Sequence, residues 1–147
     1  MTTALVVDAN ELFSFFKEGS VRKVLIEESL PQNEYELISP AYVLGELFRD
    51  KEKIIKFSGI DEAAFAVMFS LVTLHVSPVP EDECSEFMPE AAQLAPHSKD
   101  APYFAAALAR NCTIWSDEKA FKKQDKVKVV TTAELLEELK DFSNTNV

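Results

Sequence analysis

Apolar residues open the chain as an unbroken run, Ala4-Leu5-Val6-Val7, that stops at Asp8. A short continuous run closed by a polar residue predicts a strand buried on both faces, the pattern of a parallel sheet. Leu12, Phe13, Phe15 and Phe16 then recur at helical spacing, and Gly19 ends that segment. A second helix is expected over 21–30, with Pro31 and Asn33 at its exit. Glu36-Leu37-Ile38-Ser39 is the next candidate strand. Ser39 reads as the cap of a helix over 41–57, with Pro40 in its first turn and Gly59 closing it. Asp61 is placed to cap an apolar helix over 63–74, followed by a weak strand at His75-Val76-Ser77. Pro78 and Pro80 set off an acidic helix over 81–94. The Ala-rich stretch after Asp100 predicts a helix ended by Asn111. Thr113-Ile114-Trp115 and Lys128-Val129-Val130 follow as strands. Thr131-Thr132-Ala133-Glu134 is close to a capping box for a last helix over 133–140.

Strands alternating with helices imply an α/β fold: three layers, α/β/α, around a parallel sheet of four to five short strands. At 147 residues and 47% hydrophobic content the chain suits one domain, expected over 1–140, with 141–147 a flexible tail. No linker, repeat or low-complexity block divides it. In such sheets the functional crevice lies at the carboxyl ends of the strands. Asp8 and Ser116-Asp117 both stand at such ends, which is the first functional clue.

Composition narrows the setting. The apolar stretches are shorter than the roughly 20 residues of a membrane span, and no basic segment precedes the first one, so neither a span nor a secretory signal is expected. Cys84 and Cys112 are the only cysteines, which suggests two buried thiols in a reducing, cytoplasmic compartment. The two are not part of any Cys/His cluster of zinc-binding spacing. A formal charge of −10 argues against indiscriminate nucleic-acid binding. With only three glycines the chain has no phosphate-binding or dinucleotide-binding Gly-rich loop.

Four acids stand out by position: Asp8, Glu46, Asp100 and Asp117. Gathered in one crevice they would raise one another's pKa, so a fold that gathers them needs a cation. Hard oxygen donors select Mg2+, Mn2+ or Ca2+ over zinc. Such ions, paired about 3.5–4 Å apart, can activate water and stabilise the leaving oxygen of a phosphodiester.

At these residues a family resemblance emerges. Val6-Val7-Asp8-Ala9-Asn10, Ser39-Pro40 followed by Glu46-Leu47, Lys99-Asp100 at a helix start, and Ile114 through Phe121 together resemble the PIN-domain family, including its VapC-like toxin ribonucleases. Each motif is short; the ordered set, from Val6 to about Lys140, carries the likeness. The resemblance implies an endoribonuclease dependent on Mg2+ or Mn2+, often the toxin of a toxin–antitoxin pair and often a homodimer. By position, Asp8, Glu46, Asp100 and Asp117 match the family's metal-binding acids. Asn10 and Ser116 match its supporting polar residues, and Glu118 is placed to assist or replace Asp117. Pro102-Tyr103 departs from the third motif's usual helix start.

Each residue also has a plainer reading. Asp8 with Asn10, and Asp100, are good helix caps; Glu46 can pair with Arg49 or Lys53 on a solvated helix face; Asp117 can be a turn residue. His75 and His97 have no partners at ligand spacing, and Trp115 reads as core. Basic residues cluster after Glu46 (Arg49, Lys51, Lys53, Lys56) and after Asp117 (Lys119, Lys122, Lys123, Lys126, Lys128), where they either track RNA phosphates or are solvated surface. The alternative to a nuclease is a catalytically silent binding or scaffold subunit on the same fold.

Overall fold

Five strands form one sheet in which every pairing is parallel: β1 (Thr3–Val7), β2 (Tyr35–Pro40), β3 (Val76–Val79), β4 (Thr113–Trp115) and β5 (Val129–Val130). The computed structural model describes residues 2–145, with side chains as far as Lys140. The strand order is β3-β2-β1-β4-β5, so the chain lays β2 and β3 on one side of β1 and then returns to lay β4 and β5 on the other. Reversal of strand order next to β1 opens a crevice at the carboxyl ends of β1 and β4. Val6 pairs with Ile38 on one side and Ile114 on the other, and all three are fully buried. Helices flank the sheet, among them α1 (Ala9–Phe15), α2 (Val21–Val24), α3 (Leu30–Gln32), α4 (Ala41–Arg49), α5 (Lys51–Ser58), α6 (Glu62–His75), α7 (Glu81–Cys84), α8 (Met88–Leu94), α9 (Ala101–Arg110) and α10 (Thr132–Thr145), giving the three-layer α/β/α arrangement expected.

The helix over α9 (Ala101–Arg110) packs on β1, β2 and β4. Its buried Ala101, Ala105, Ala106 and Ala107 let the helix backbone approach the sheet closely, while Tyr103 and Phe104 fill the space beside it. Asn111 ends it in the left-handed region at φ 49°, a conformation Asn tolerates better than most residues. Asp61 caps α6 (Glu62–His75), accepting from Ala64 N at 2.8 Å. Thr131 and Glu134 exchange the two bonds of a capping box at the start of α10 (Thr132–Thr145), at 2.9 and 3.1 Å. That helix runs past the Lys140 expected as its end; of the tail expected to be flexible, the side chains of 141–145 and all of 146–147 lie outside the described residues.

Several local expectations change: β3 runs on through Pro78 to Val79, and the helix expected over 81–94 is broken by a 3-10 turn at Ser85–Phe87. Ser39 is not a helix cap: it lies inside β2, fully buried, and its hydroxyl donates to the Val7 carbonyl at 3.1 Å. That carbonyl sits at the end of β1 and gains a partner from the neighbouring strand, leaving Pro40 at the cap position of α4 (Ala41–Arg49). The helix expected over 41–57 breaks at Asp50, which closes α4 and opens α5 (Lys51–Ser58). The helix expected over 21–30 runs to Gln32 with Pro31 inside its last turn, and its middle, Leu25–Ser29, widens into a π-turn. Pro31 has no N–H for the carbonyl four residues back, and a widened turn accommodates it. Cys84 is buried and Cys112 half-buried; both are free thiols.

Among the described residues no single helix is long and apolar enough to cross a membrane; α5 and α6 have the composition together but meet at 109°.

Candidate active site

Asp8 follows β1 directly, and its backbone N–H donates to the Trp115 carbonyl at 3.1 Å, so the ends of β1 and β4 hold it from both sides. Its carboxylate is buried, with one oxygen taking a 2.7 Å hydrogen bond from the Ser116 hydroxyl. The other faces Asn10 N at 3.4 Å, which makes Asp8 the N-cap of α1 (Ala9–Phe15). Burial pushes the Asp8 pKa up; the bonds from Ser116 and Asn10 pull it down, and the negative charges of Asp100 and Glu118 push it up again. Capping and site membership are therefore compatible at this residue.

Asp8 looks onto a cleft of about 400 Å³ whose walls include Asn10, Tyr42, Glu46, Lys99 and Asp100. Tyr42 and Glu46 lie four apart on α4 and so share a face of it. Asp100 ends a short 3-10 turn, Ser98–Asp100, and makes no side-chain capping bond to α9, so the expected cap is not formed and its carboxylate is left to the cleft. Burial raises its pKa, Lys99 and His97 lower it, and Glu118 raises it. The Tyr42 hydroxyl donates to the Lys99 carbonyl at 3.3 Å. Burial, and then the charges of Glu46, Asp100 and Asp8, push that phenol up to about 12, so it remains a donor at neutral pH. Tyr103, also on the wall, accepts from Ala9 N at 3.2 Å.

Asp117 turns elsewhere. Its oxygens accept from Thr132 N at 2.9 Å, Thr132 Oγ1 at 2.6 Å and Arg22 Nη2 at 3.0 Å. Burial alone would raise its pKa, but hydrogen bonds from Glu11, Thr132 and Arg22 outweigh burial and hold it at about 2. Glu11 is the counterpart: burial and the neighbouring Asp117 raise it to about 8, against the pull of the Arg22 guanidinium 3.6 Å away. Thus Asp8, Glu46 and Asp100 share one cleft, Glu118 acts on two of them through its charge, and Asp117 belongs to an adjoining network with Arg22, Thr132 and Glu11. Glu118 N donates to Ser116 Oγ at 3.1 Å, so one serine hydroxyl links the Asp8 carboxylate to the Glu118 backbone.

Sequence reasoning did not find Glu11, Arg22 or Tyr42. Glu11 reads as an ordinary first-turn acid, and Arg22 reaches Asp117 across 95 residues. Glu11 carries a testable consequence. Its folded pKa of about 8 lies above the ordinary 4.5, so the protonated form is favoured by folding. That contribution is full below about 4.5 and is lost as pH rises through about 8. Thermal unfolding at pH 5.5 and 8.5 should show wild type losing on the order of 2 kcal/mol across that window, and Glu11→Gln should flatten the decline. An unchanged decline in the variant would show that the slope has another origin.

Four of the clustered lysines face acids. Lys122 pairs with Glu134, Lys126 with Glu90, Lys128 with Glu138 at 3.8 Å, and Lys51 with Glu62 at 3.4 Å. The cation on the wall of the acidic cleft is Lys99.

Among the described residues, no group of three or more His, Cys, Asp or Glu is arranged to hold a metal ion. The donor chemistry nonetheless suits a hard divalent cation: carboxylate oxygens only, with Asp8 buried beside like charges. Mg2+ keeps several of its waters and is commonly held by one or two carboxylates, which Asp8 and Asp100 would provide.

No curated protein matches the sequence closely. A family profile described as PIN domain matches residues 6–141, which takes in the end of β1, both strand-end acid motifs and most of the last helix. With that match spanning nearly the whole chain and a five-stranded parallel sheet behind it, the protein belongs to the PIN-domain family, whose members are generally nucleases.

Proposed function

We propose that the protein is an endoribonuclease dependent on Mg2+ or Mn2+, hydrolysing RNA phosphodiesters in the Asp8–Glu46–Asp100 cleft. The supporting observation is the convergence of these acids from three separate elements on the crevice beside β1, where burial and the charges of Asp100 and Glu118 raise the pKa of Asp8. Asp8 and Asp100 would hold the ion, with Glu46 on the same cleft wall, Glu118 acting on both through its charge, and Asp117 held apart by Arg22 and Thr132. The ion would supply neutralisation of phosphate charge and acidification of water. Ser116 and Asn10 orient Asp8, Lys99 offers a cation to a phosphate oxygen, and Tyr42 offers a neutral donor.

A toxin role of the VapC-like kind, an antitoxin partner, a homodimer and a cytoplasmic location complete this reading. Exposed Phe48, Phe57, Val67 and Leu74 give apolar surface on which a second chain would sit. The silent binding-subunit reading draws on a different observation: Asp117 is already satisfied by Arg22 and Thr132.

Calorimetric titration of Mn2+ separates the two. The wild type should bind the ion, and Glu46→Gln and Asp100→Asn should each weaken binding by about tenfold or more, with RNA cleavage falling in parallel. Absence of Mn2+ binding at millimolar concentration in the wild type would leave the acids as caps and surface charges and favour the binding subunit.

A further inference from the structure

A second cleft of about 530 Å³ adjoins the acidic one, and Tyr42 and Pro102 line both. Its character is different. Val79, Met88 and the Tyr42 ring give it apolar walls, while Glu81 and Ser85 stand on its lining. The described lining residues include no cation. The Ser85 hydroxyl spends its proton on the Asp82 carbonyl at 3.0 Å, so what it and Glu81 offer a ligand is acceptor oxygen.

These features select against a phosphate and for a flat, uncharged ring that carries N–H donors. The two clefts meet at Tyr42 and Pro102, so a ligand held in the acidic one adjoins the apolar one. We infer that this second cleft is a nucleobase pocket for the RNA, seating the base next to the scissile phosphate and favouring guanine. The inference rests on the nuclease reading for its occupant. Guanine is favoured because its adjacent N1–H and N2–H groups match the two oxygens of a carboxylate, here Glu81. Stacking on Tyr42 and contact with the Met88 thioether supply the sequence-tolerant part of binding. Tyr42 is fixed for that purpose by its hydrogen bond to the Lys99 carbonyl.

The test uses the methionine methyls as reporters, because Met88 lines this cleft and Met68 lies in a separate depression beside Phe16 and Ile60. The full chain, labelled with [13C]methyl-methionine, is titrated with guanosine and uridine monophosphates at millimolar concentration, and RNA cleavage with Mg2+ or Mn2+ is measured on the same preparation. Guanosine monophosphate should move the Met88 methyl saturably and leave Met68 in place. Glu81→Gln should weaken guanosine binding roughly tenfold and abolish its advantage over uridine. RNA cleavage with no Met88 response to either nucleotide would overturn the pocket and leave the nuclease reading standing. A Met88 response without cleavage of any RNA would overturn the nuclease reading and leave a nucleotide pocket. Equal binding by Glu81→Gln and wild type would overturn the guanine assignment.

Discussion

Asp8→Asn is expected to reduce RNA cleavage by roughly 10³-fold, the equivalent of several kcal/mol of lost charge stabilisation at the phosphodiester, while leaving the protein as stable as the wild type or more so. The two effects have opposite signs for one physical reason. Asp8 is buried, and its charged form is opposed by burial and by Asp100 and Glu118. A neutral amide of nearly the same shape removes those penalties. It keeps an acceptor for Asn10 N and stays beside the Ser116 hydroxyl. A residue retained only as a cap would behave differently, since Asn is as good an N-cap as Asp and the substitution would then change neither activity nor stability noticeably. Cleavage assays, Mn2+ titration and thermal unfolding on the same two proteins distinguish these cases. Undiminished cleavage by Asp8→Asn would remove Asp8 from the chemistry.

What the sequence disclosed about this region follows from how local each interaction is. The buried run before Asp8, the Asp61 cap and the Thr131–Glu134 box depend on residues within a few positions of one another, and each stands where the pattern placed it. The placement of Asp8 and Ser116 side by side needed only the rule that strand ends meet at the crevice of a parallel sheet. Ser39 was misread because its partner, the Val7 carbonyl, lies on another strand, and a serine before a proline looks the same whether it caps a helix or bridges a sheet. Asp50 breaks a helix whose apolar spacing runs on without interruption, so periodicity could not reveal it. The division between Asp100, which faces the cleft, and Asp117, which faces Arg22, depends on a side chain 95 residues away from Asp117. No spacing rule reaches that far. The lysines after Asp117 show the same limit, because their acidic partners Glu90, Glu134 and Glu138 come from other helices.

Trp115→Ala is expected to cost about 3–5 kcal/mol of stability, a large share of the 5–15 kcal/mol or so that a domain of this kind possesses, and to lower the melting temperature by roughly 10 °C or more. Trp115 is fully buried in β4 between β1 and β5, so truncation opens a cavity in the middle of the sheet's packing. Its indole N–H also donates to Thr132 Oγ1 at 3.0 Å, and Thr132 in turn donates to Asp117 at 2.6 Å. Trp115→Phe keeps most of the ring volume and loses the donor and a small part of the packing, so it should cost about 1–2 kcal/mol. The contrast matters for the site because Trp115 is followed directly by Ser116, Asp117 and Glu118, and its carbonyl accepts from Asp8 N at 3.1 Å. β4 is three residues long, so a displacement of Trp115 cannot be absorbed before it reaches those groups. Trp115→Ala should therefore lose cleavage at temperatures where circular dichroism still reports a folded chain, and Trp115→Phe should not. If the alanine variant kept wild-type cleavage until it unfolded, the strand end would tolerate the displacement and Asp8 would be positioned chiefly by β1.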